Sequence, residues 1–150
     1  MTQTEWSHLP NAKHIDWVNA SLKANPGNWT AAWDAVWDAA YDAVRDEAWY
    51  VVCDEARTKA FDAARTAART AAYYTARDAA RTAATEAAFD AATDAIVALI
   101  AYDDCAYMID SEMDELKILA KLGDQRALLL LPACIVFNET KALTNASIAV

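Results

Sequence analysis

The stretch TAAWDAVWDAAYDAVRDEAW, residues Thr30 to Trp49, places a large residue at every fourth position: Trp33, Trp37, Tyr41, Arg45 and Trp49. An Asp follows each of the first four, and small residues fill most of the gaps. Extended in both directions, the column runs from Trp29 through Cys53, Arg57, Phe61, Arg65, Arg69, Tyr73, Arg77, Arg81 and Phe89 to Val97, about 70 residues. The position after it is usually Asp or Thr, and the last two of each four are usually Ala. A period of four is one helical turn, so it defines a helix surface and not a folding module of 20 to 50 residues.

An α-helix advances about 100° per residue, so a four-residue repeat drifts by about 40° each time. The large residue circles the helix once in about nine repeats. One straight helix cannot keep this column against a single neighbour. From Trp29 to Ile109 a continuous rod would be about 120 Å long, too long for a compact domain of this size. The run must therefore break into shorter helices. A continuous helix paired with a second chain is the other solution.

Charge supports the broken form. Residues 29–56 carry a net −6, residues 57–81 a net +4 and residues 82–116 a net −9, within a chain total of −9. An acidic, basic, acidic order suits antiparallel helices with the basic one between the others. It predicts bends near Ala56 to Lys59 and near Arg81 to Thr85, although neither place has Gly or Pro. Asp34, Asp38, Asp42 and Asp46 form a like-charge row at spacing four, which costs helix stability. Such a row belongs at a helix N-terminus or opposite a cation. Asp/Arg pairs at spacing three (42/45, 54/57, 62/65 and 78/81) each support a helix by about 0.2–0.5 kcal/mol.

The chain has 150 residues, of which 37 are Ala, 2 Gly and 3 Pro. That composition predicts one all-α domain. The expected architecture is an antiparallel bundle of about six helices built on the Ala-rich repeat. Three parts are expected: residues 1–28 as an N-terminal helix and turn, 29–109 as repeat helices, and 110–150 as apolar C-terminal helices. Ile15, Val18 and Leu22 follow helical spacing in a helix from about Asn11 to Ala24, closed by Pro26-Gly27, with Asn28 as the next cap. Ser111 starts a helix, Gly123 ends it, and Asp124 caps another that is apolar through Leu128–Phe137. All-round apolarity places that last helix at the centre, with Pro132 kinking or restarting it.

No secretory leader is expected from MTQTEWSHLP. The longest apolar run, 11 residues at Ala127–Phe137, is short of the roughly 20 that a spanning helix needs. The three cysteines, Cys53, Cys105 and Cys134, form no CxxC and are expected as buried thiols of a cytoplasmic protein.

Chemistry-bearing motifs are sparse. The chain has no GxGxxG, P-loop, HExxH or GxSxG, so no enzyme activity, cofactor or metal is expected. His8 and His14 are expected at the surface, with a metal pair as the alternative. Asp103, Asp104, Asp110, Glu112, Asp114 and Glu115 form an acidic cluster, expected as a solvated face; a cation site or an acid/base pair are the alternatives. Arg65, Arg69, Arg77 and Arg81 share the column with Tyr73 between them. They either neutralise the flanking acidic helices or hold an anion. All six tryptophans precede residue 50, and most are expected to join the N-terminal helix to the first repeat helix. Trp33 and Trp37 are the candidates for an exposed aromatic binding face.

The WDAVWDAAYDA and AARTAARTAA tracts, with the tail ALIAYDDCAYMID and LAKLGDQRALLLLPAC, resemble the Ala-rich repeat proteins of bacteriophage and bacteria, mostly of unassigned function. They also resemble helical immunity proteins with AARxAA tracts. The immunity resemblance implies a small cytoplasmic protein that binds and blocks a toxin, and it supplies no catalytic residues.

Three functions follow as expectations. The first is a non-enzymatic protein that binds another macromolecule, basic in character, in phage or bacterial conflict; the net charge opposes duplex nucleic acid. The second is a self-assembling helical protein forming homo-oligomers. The third is a pocket protein holding a small anion or nucleotide through the Arg/Tyr segment.

Overall fold

The computed structural model describes residues 5–43, 48–81 and 85–148, with side chains described for 5–36, 51–81 and 85–140. Among the described residues all regular secondary structure is helical, with no strand. The helices are α1 (Ala12–Ala24), α2 (Pro26–Ala43), α3 (Ala48–Ala63), α4 (Ala67–Ala80), α5 (Glu86–Ala101), α6 (Met113–Lys121) and α7 (Gln125–Ile148). A 3-10 helix, Ala106–Asp110, joins α5 to α6.

The repeat is indeed cut into short helices, but not quite where charge predicts. The bend expected at Ala56–Lys59 is absent, because α3 runs through it to Ala63. The break falls at Ala64–Thr66 instead, where Thr66 Oγ1 accepts the Arg69 N–H and caps α4. The second break is as expected: Thr85 caps α5 by accepting the Ala88 N–H at 3.1 Å. α2 is described to Ala43 and α3 from Ala48; residues 44–47 lie outside the described residues. At the first turn, Pro26 starts α2, so Asn28 lies inside that helix and is not its cap. Proline suits this position, because a first-turn N–H has no helical partner to lose.

Short helices solve the drift problem. Over three or four turns the four-residue column rotates by little more than a third of a circle, so one face persists. That face is the last position of each repeat. Ala56, Ala60, Ala72, Ala76, Ala80, Ala88 and Ala92 are all fully buried. The other small position points outward in α3 and α4, where Ala63, Ala67, Ala71 and Ala79 are exposed. One alanine per turn, and not two, forms the seam between helices in this part of the bundle.

Two helices make the centre. α5 packs against α1, α2, α3, α4 and α7, and all of its residues from Asp94 to Ile100 are buried. α7, expected at the centre, packs against α2, α3, α5 and α6 and is buried from Ala127 to Val136. Its helix continues through Pro132. Gly123, at φ +89°, ends α6 in the left-handed region that favours glycine. Asp124 then caps α7 by accepting the Arg126 and Ala127 N–H groups.

Of the six tryptophans, Trp17 and Trp29 join α1 to α2, Trp6 packs beside α1, Trp33 points elsewhere, and the Trp37 and Trp49 side chains lie outside the described residues. Trp17 of α1 packs against Trp29 of α2 (5.9 Å between ring centroids) and edge-on to Phe137 of α7 (5.5 Å). Trp29 is fully buried and donates to Ser21 Oγ, while Trp6 donates to Asp16. Asn11 serves the bundle in an unexpected way. Its amide donates to both Leu99 O and Tyr102 O at 2.9 Å, tying the start of α1 to the end of α5.

Candidate functional site

The first and second positions of the repeat, which the alanine seam leaves to one side, converge on a cavity of about 560 Å3. α2 contributes Trp33 and Asp34. α3 contributes Cys53, Arg57 and Phe61, one helical turn apart on a single face. α4 contributes Tyr73, and α5 contributes Asp90, Thr93, Asp94 and Val97. Every one of these ten residues occupies the first or second position of its four-residue unit. The repeat thus has two products: an alanine seam that brings four helices together, and a lined cavity beside the seam.

The base of the cavity is an ion pair. Arg57 Nε donates to Asp94 Oδ1 at 2.7 Å and Arg57 Nη2 to Asp94 Oδ2 at 3.0 Å. Nη1 donates to Asp54 at 3.1 Å, so all three guanidinium nitrogens are already engaged. The Trp33 ring lies 5.9 Å from the guanidinium carbon, within cation–π range. Asp94 is 8% exposed in a stretch that is otherwise apolar. Burial pushes its carboxyl above the usual range, against the opposing pull of Arg57. Arg57 in turn is held more firmly protonated, chiefly by its hydrogen bonds to Asp94. A smaller cleft beside the pair is lined by Val36, Leu128 and Pro132.

The walls are aromatic. Phe61 meets Tyr73 edge-on at 5.3 Å, and Tyr74 extends the group at 5.4 Å from Tyr73. Burial raises the Tyr73 phenol pKa above its usual value. The Cys53 thiol is pushed up to about 11 by burial, which keeps it protonated near neutrality.

Asp34 of α2 and Asp90 of α5 complete the lining. No donor from the described residues meets either carboxylate. Asp34 is exposed and Asp90 half-buried. Burial, and then the charge of Glu86, raise the Asp90 carboxyl, while Arg57 acts in the opposite sense. The acidic row of α2 is therefore explained in part. Asp34 is nine residues into its helix, not at the N-terminus, and it shares a cavity with two carboxylates of α5.

The arginine column does not gather into one site. Arg69 donates to the Ile100 carbonyl and, through both terminal nitrogens, to Asp103 (2.9 and 3.2 Å), so it closes the C-terminus of α5. Arg81 bonds Asp78 at 3.2 Å and covers the Phe89 ring at 5.7 Å. Arg65 is exposed and Arg77 half-buried. Of the candidates Arg65, Arg69, Tyr73, Arg77 and Arg81, only Tyr73 lines the cavity. Trp33 is a half-buried cavity wall and not part of an exposed face, and the Trp37 side chain lies outside the described residues.

Elsewhere, His8 and His14 are both exposed. Cys105 and Cys134 are buried free thiols, pushed up to about 12 and about 11 by burial. The acidic cluster is partly paired, Asp103 with Arg69 and Asp104 with Arg126. Among the described residues no group of three His, Cys, Asp or Glu is placed to hold a metal ion, and no helix is long and apolar enough to cross a membrane.

Arg57 and Asp94 were not singled out as site residues from sequence. The available signal was the Asp that opens DAIVALI, a carboxylate followed only by apolar residues through Ile100. A buried carboxylate requires a partner, but the column offers Arg57, Arg65, Arg69, Arg77 and Arg81 upstream of Asp94, and spacing alone does not choose among them. The chain matches no protein-family model, no curated protein and no solved structure.

Proposed function

We propose that this chain is a binding protein that captures a small organic molecule in the cavity between α2, α3, α4 and α5. The supporting observation is the cavity itself. Its volume of about 560 Å3 falls in the range of small-molecule sites, about 300–1,000 Å3, and three aromatic side chains line it with a few convergent polar groups. Capture without transformation fits its lining. Cys53 carries its proton, no histidine is present there, and Arg57 and Asp94 engage each other. The nucleotide version of this function loses its support, because the arginines expected to hold the phosphates are dispersed.

A thermal-shift screen of small amines, alcohols and acids tests this function. A ligand at 100 times its dissociation constant adds about 2.7 kcal/mol of stability. Thr93→Phe fills the cavity from α5 and should abolish any such shift. Compounds that stabilise wild type and Thr93→Phe equally would place binding elsewhere.

A second function, binding of a basic macromolecule as the immunity resemblance implies, draws support from the segment between α5 and α6. Tyr107 is 61% exposed there, among Asp103, Asp104, Asp110 and Glu112, and Ile118 of α6 and Leu122 just past its end are exposed. Light scattering across a concentration series separates this function from self-assembly. A monomer at all concentrations removes the homo-oligomer.

A further inference from the structure

We propose that the cavity is selective for an organic cation, a primary or quaternary ammonium carried on an aromatic or apolar body. This rests on the ligand-binding function above and names its ligand class.

The argument is one of unmet demand. Among the described lining residues a ligand finds carboxylate acceptors and aromatic rings, with the Tyr73 hydroxyl and Cys53 thiol as neutral donors. Arg57, the one cation among them, has each guanidinium nitrogen committed to Asp94 or Asp54. The Thr93 hydroxyl donates to the Asp90 carbonyl at 3.1 Å. Against these stand two carboxylates, Asp34 and Asp90, that meet no donor from the described residues. An anion would have to displace Asp94 from Arg57 and sit beside three carboxylates. A cation meets no such obstacle.

Asp34 and Asp90 come from different helices, and α2 packs extensively against α5. Two carboxylates facing one cavity, with Asp94 behind them and a single Arg, leave the lining at a net −2. A bound ammonium offsets part of that charge. The ring faces of Trp33, Phe61 and Tyr73 supply the second element of ammonium recognition, an electron-rich wall against which its methyl or methylene groups lie. The same walls accommodate the apolar body of the ligand.

Three probes of one skeleton test the charge preference by calorimetry on the full chain: phenethylammonium, phenethyl alcohol and 3-phenylpropionate. The expected order is ammonium, then alcohol, then carboxylate, with the ammonium bound about tenfold or more tighter than the alcohol at low salt. Added salt should shrink that ratio. Asp34→Asn/Asp90→Asn should bring the ammonium to within about threefold of the alcohol while leaving alcohol binding in place. Asp90→Asn removes a charge that burial and Glu86 disfavour, and Asp34 is exposed, so the variant should fold about as well as wild type. Its melting temperature checks this. Equal binding of ammonium and alcohol by the wild type, or tighter binding of the carboxylate, overturns the cation assignment but leaves the cavity function standing. Binding of all three that survives in Thr93→Phe overturns both.

Discussion

Arg57 grips both oxygens of Asp94, at 2.7 and 3.0 Å, and so ties α3 to the buried core of α5. The two residues are 37 apart in sequence, and the pair is both the base of the cavity and the polar link between two helices. Removing one partner leaves the other buried and uncompensated, at a typical cost of about 3–5 kcal/mol. Arg57 is about one-third exposed, so Arg57→Met should fall near or below the low end of that range. Replacing both, as Arg57→Met/Asp94→Leu, should recover most of the loss, since well-packed apolar pairs often equal buried ion pairs. Urea denaturation of the two single variants and the double variant measures this, and additive losses would contradict it.

Asn11 carries a comparable structural duty. Its buried amide satisfies the Leu99 and Tyr102 carbonyls at the end of α5. Asn11→Ala should cost about 1–3 kcal/mol, the usual penalty for leaving a buried polar group unmet. Chemical denaturation that shows no change would mean that water replaces the amide.

The arginine column predicts unequal effects along its length. Arg69 bonds the Ile100 carbonyl and Asp103, so Arg69→Gln should lower stability by about 1–3 kcal/mol. Arg81 pairs with Asp78 at an exposed helix end, and Arg81→Gln should change stability by less than about 1 kcal/mol. Phosphate and nucleotides should stabilise neither the wild type nor these variants. A nucleotide-dependent shift in the wild type, lost in Arg69→Gln, would restore the anion function.

The alanine positions separate seam from surface. Ala72 is fully buried and Ala71, its neighbour, is exposed. Ala72→Leu should therefore cost about 1–3 kcal/mol by overpacking, and Ala71→Leu should stay within about 0.5 kcal/mol. Equal effects in thermal melts would mean that the repeat phase is different from the one described.

pH acts on stability and on binding with opposite signs. Asp90 has a folded-state pKa raised by burial and by Glu86, with Arg57 opposing, and Asp34 faces the same cavity from α2. Asp94 is shifted upward too, by burial. A raised carboxyl binds its proton more tightly in the folded chain, so its ionised form works against folding at neutral pH. That penalty fades as pH falls through the raised value toward the ordinary 3.8. Ammonium binding needs the ionised form and fades over the same interval. As pH falls from neutrality toward 3.8 the carboxyl contribution to stability should rise while phenethylammonium affinity falls, and Asp90→Asn should flatten both trends.

Much of this fold can be read in the sequence. The repeat announces helices, its 40° drift requires that they be short, and the Thr85 break and the Gly123 and Asp124 caps carry local signals. The break at Thr66 does not. The tetrapeptide ARTA occurs at residues 64–67, 68–71 and 80–83, yet Thr66 caps a helix while Thr70 lies inside one. Identical local chemistry cannot choose between them, so tertiary packing decides. The cavity inherits that difficulty. Trp33, Phe61, Asp34 and Asp90 stand plainly in their columns, but which turn of one helix meets which turn of another depends on where the helices break. The arginines drew attention as a cluster in sequence, and separate breaks direct Arg69 and Arg81 to different partners.

The most direct test of the central claim is a chemical-shift map of the full chain titrated with phenethylammonium. The cavity account predicts that perturbed resonances are confined to Trp33, Asp34, Cys53, Phe61, Tyr73, Asp90, Thr93 and Val97, scattered over four helices in sequence and adjoining in space. Perturbations centred on Arg65 and Arg81, on the Tyr107 segment, or spread evenly over the acidic surface would contradict it.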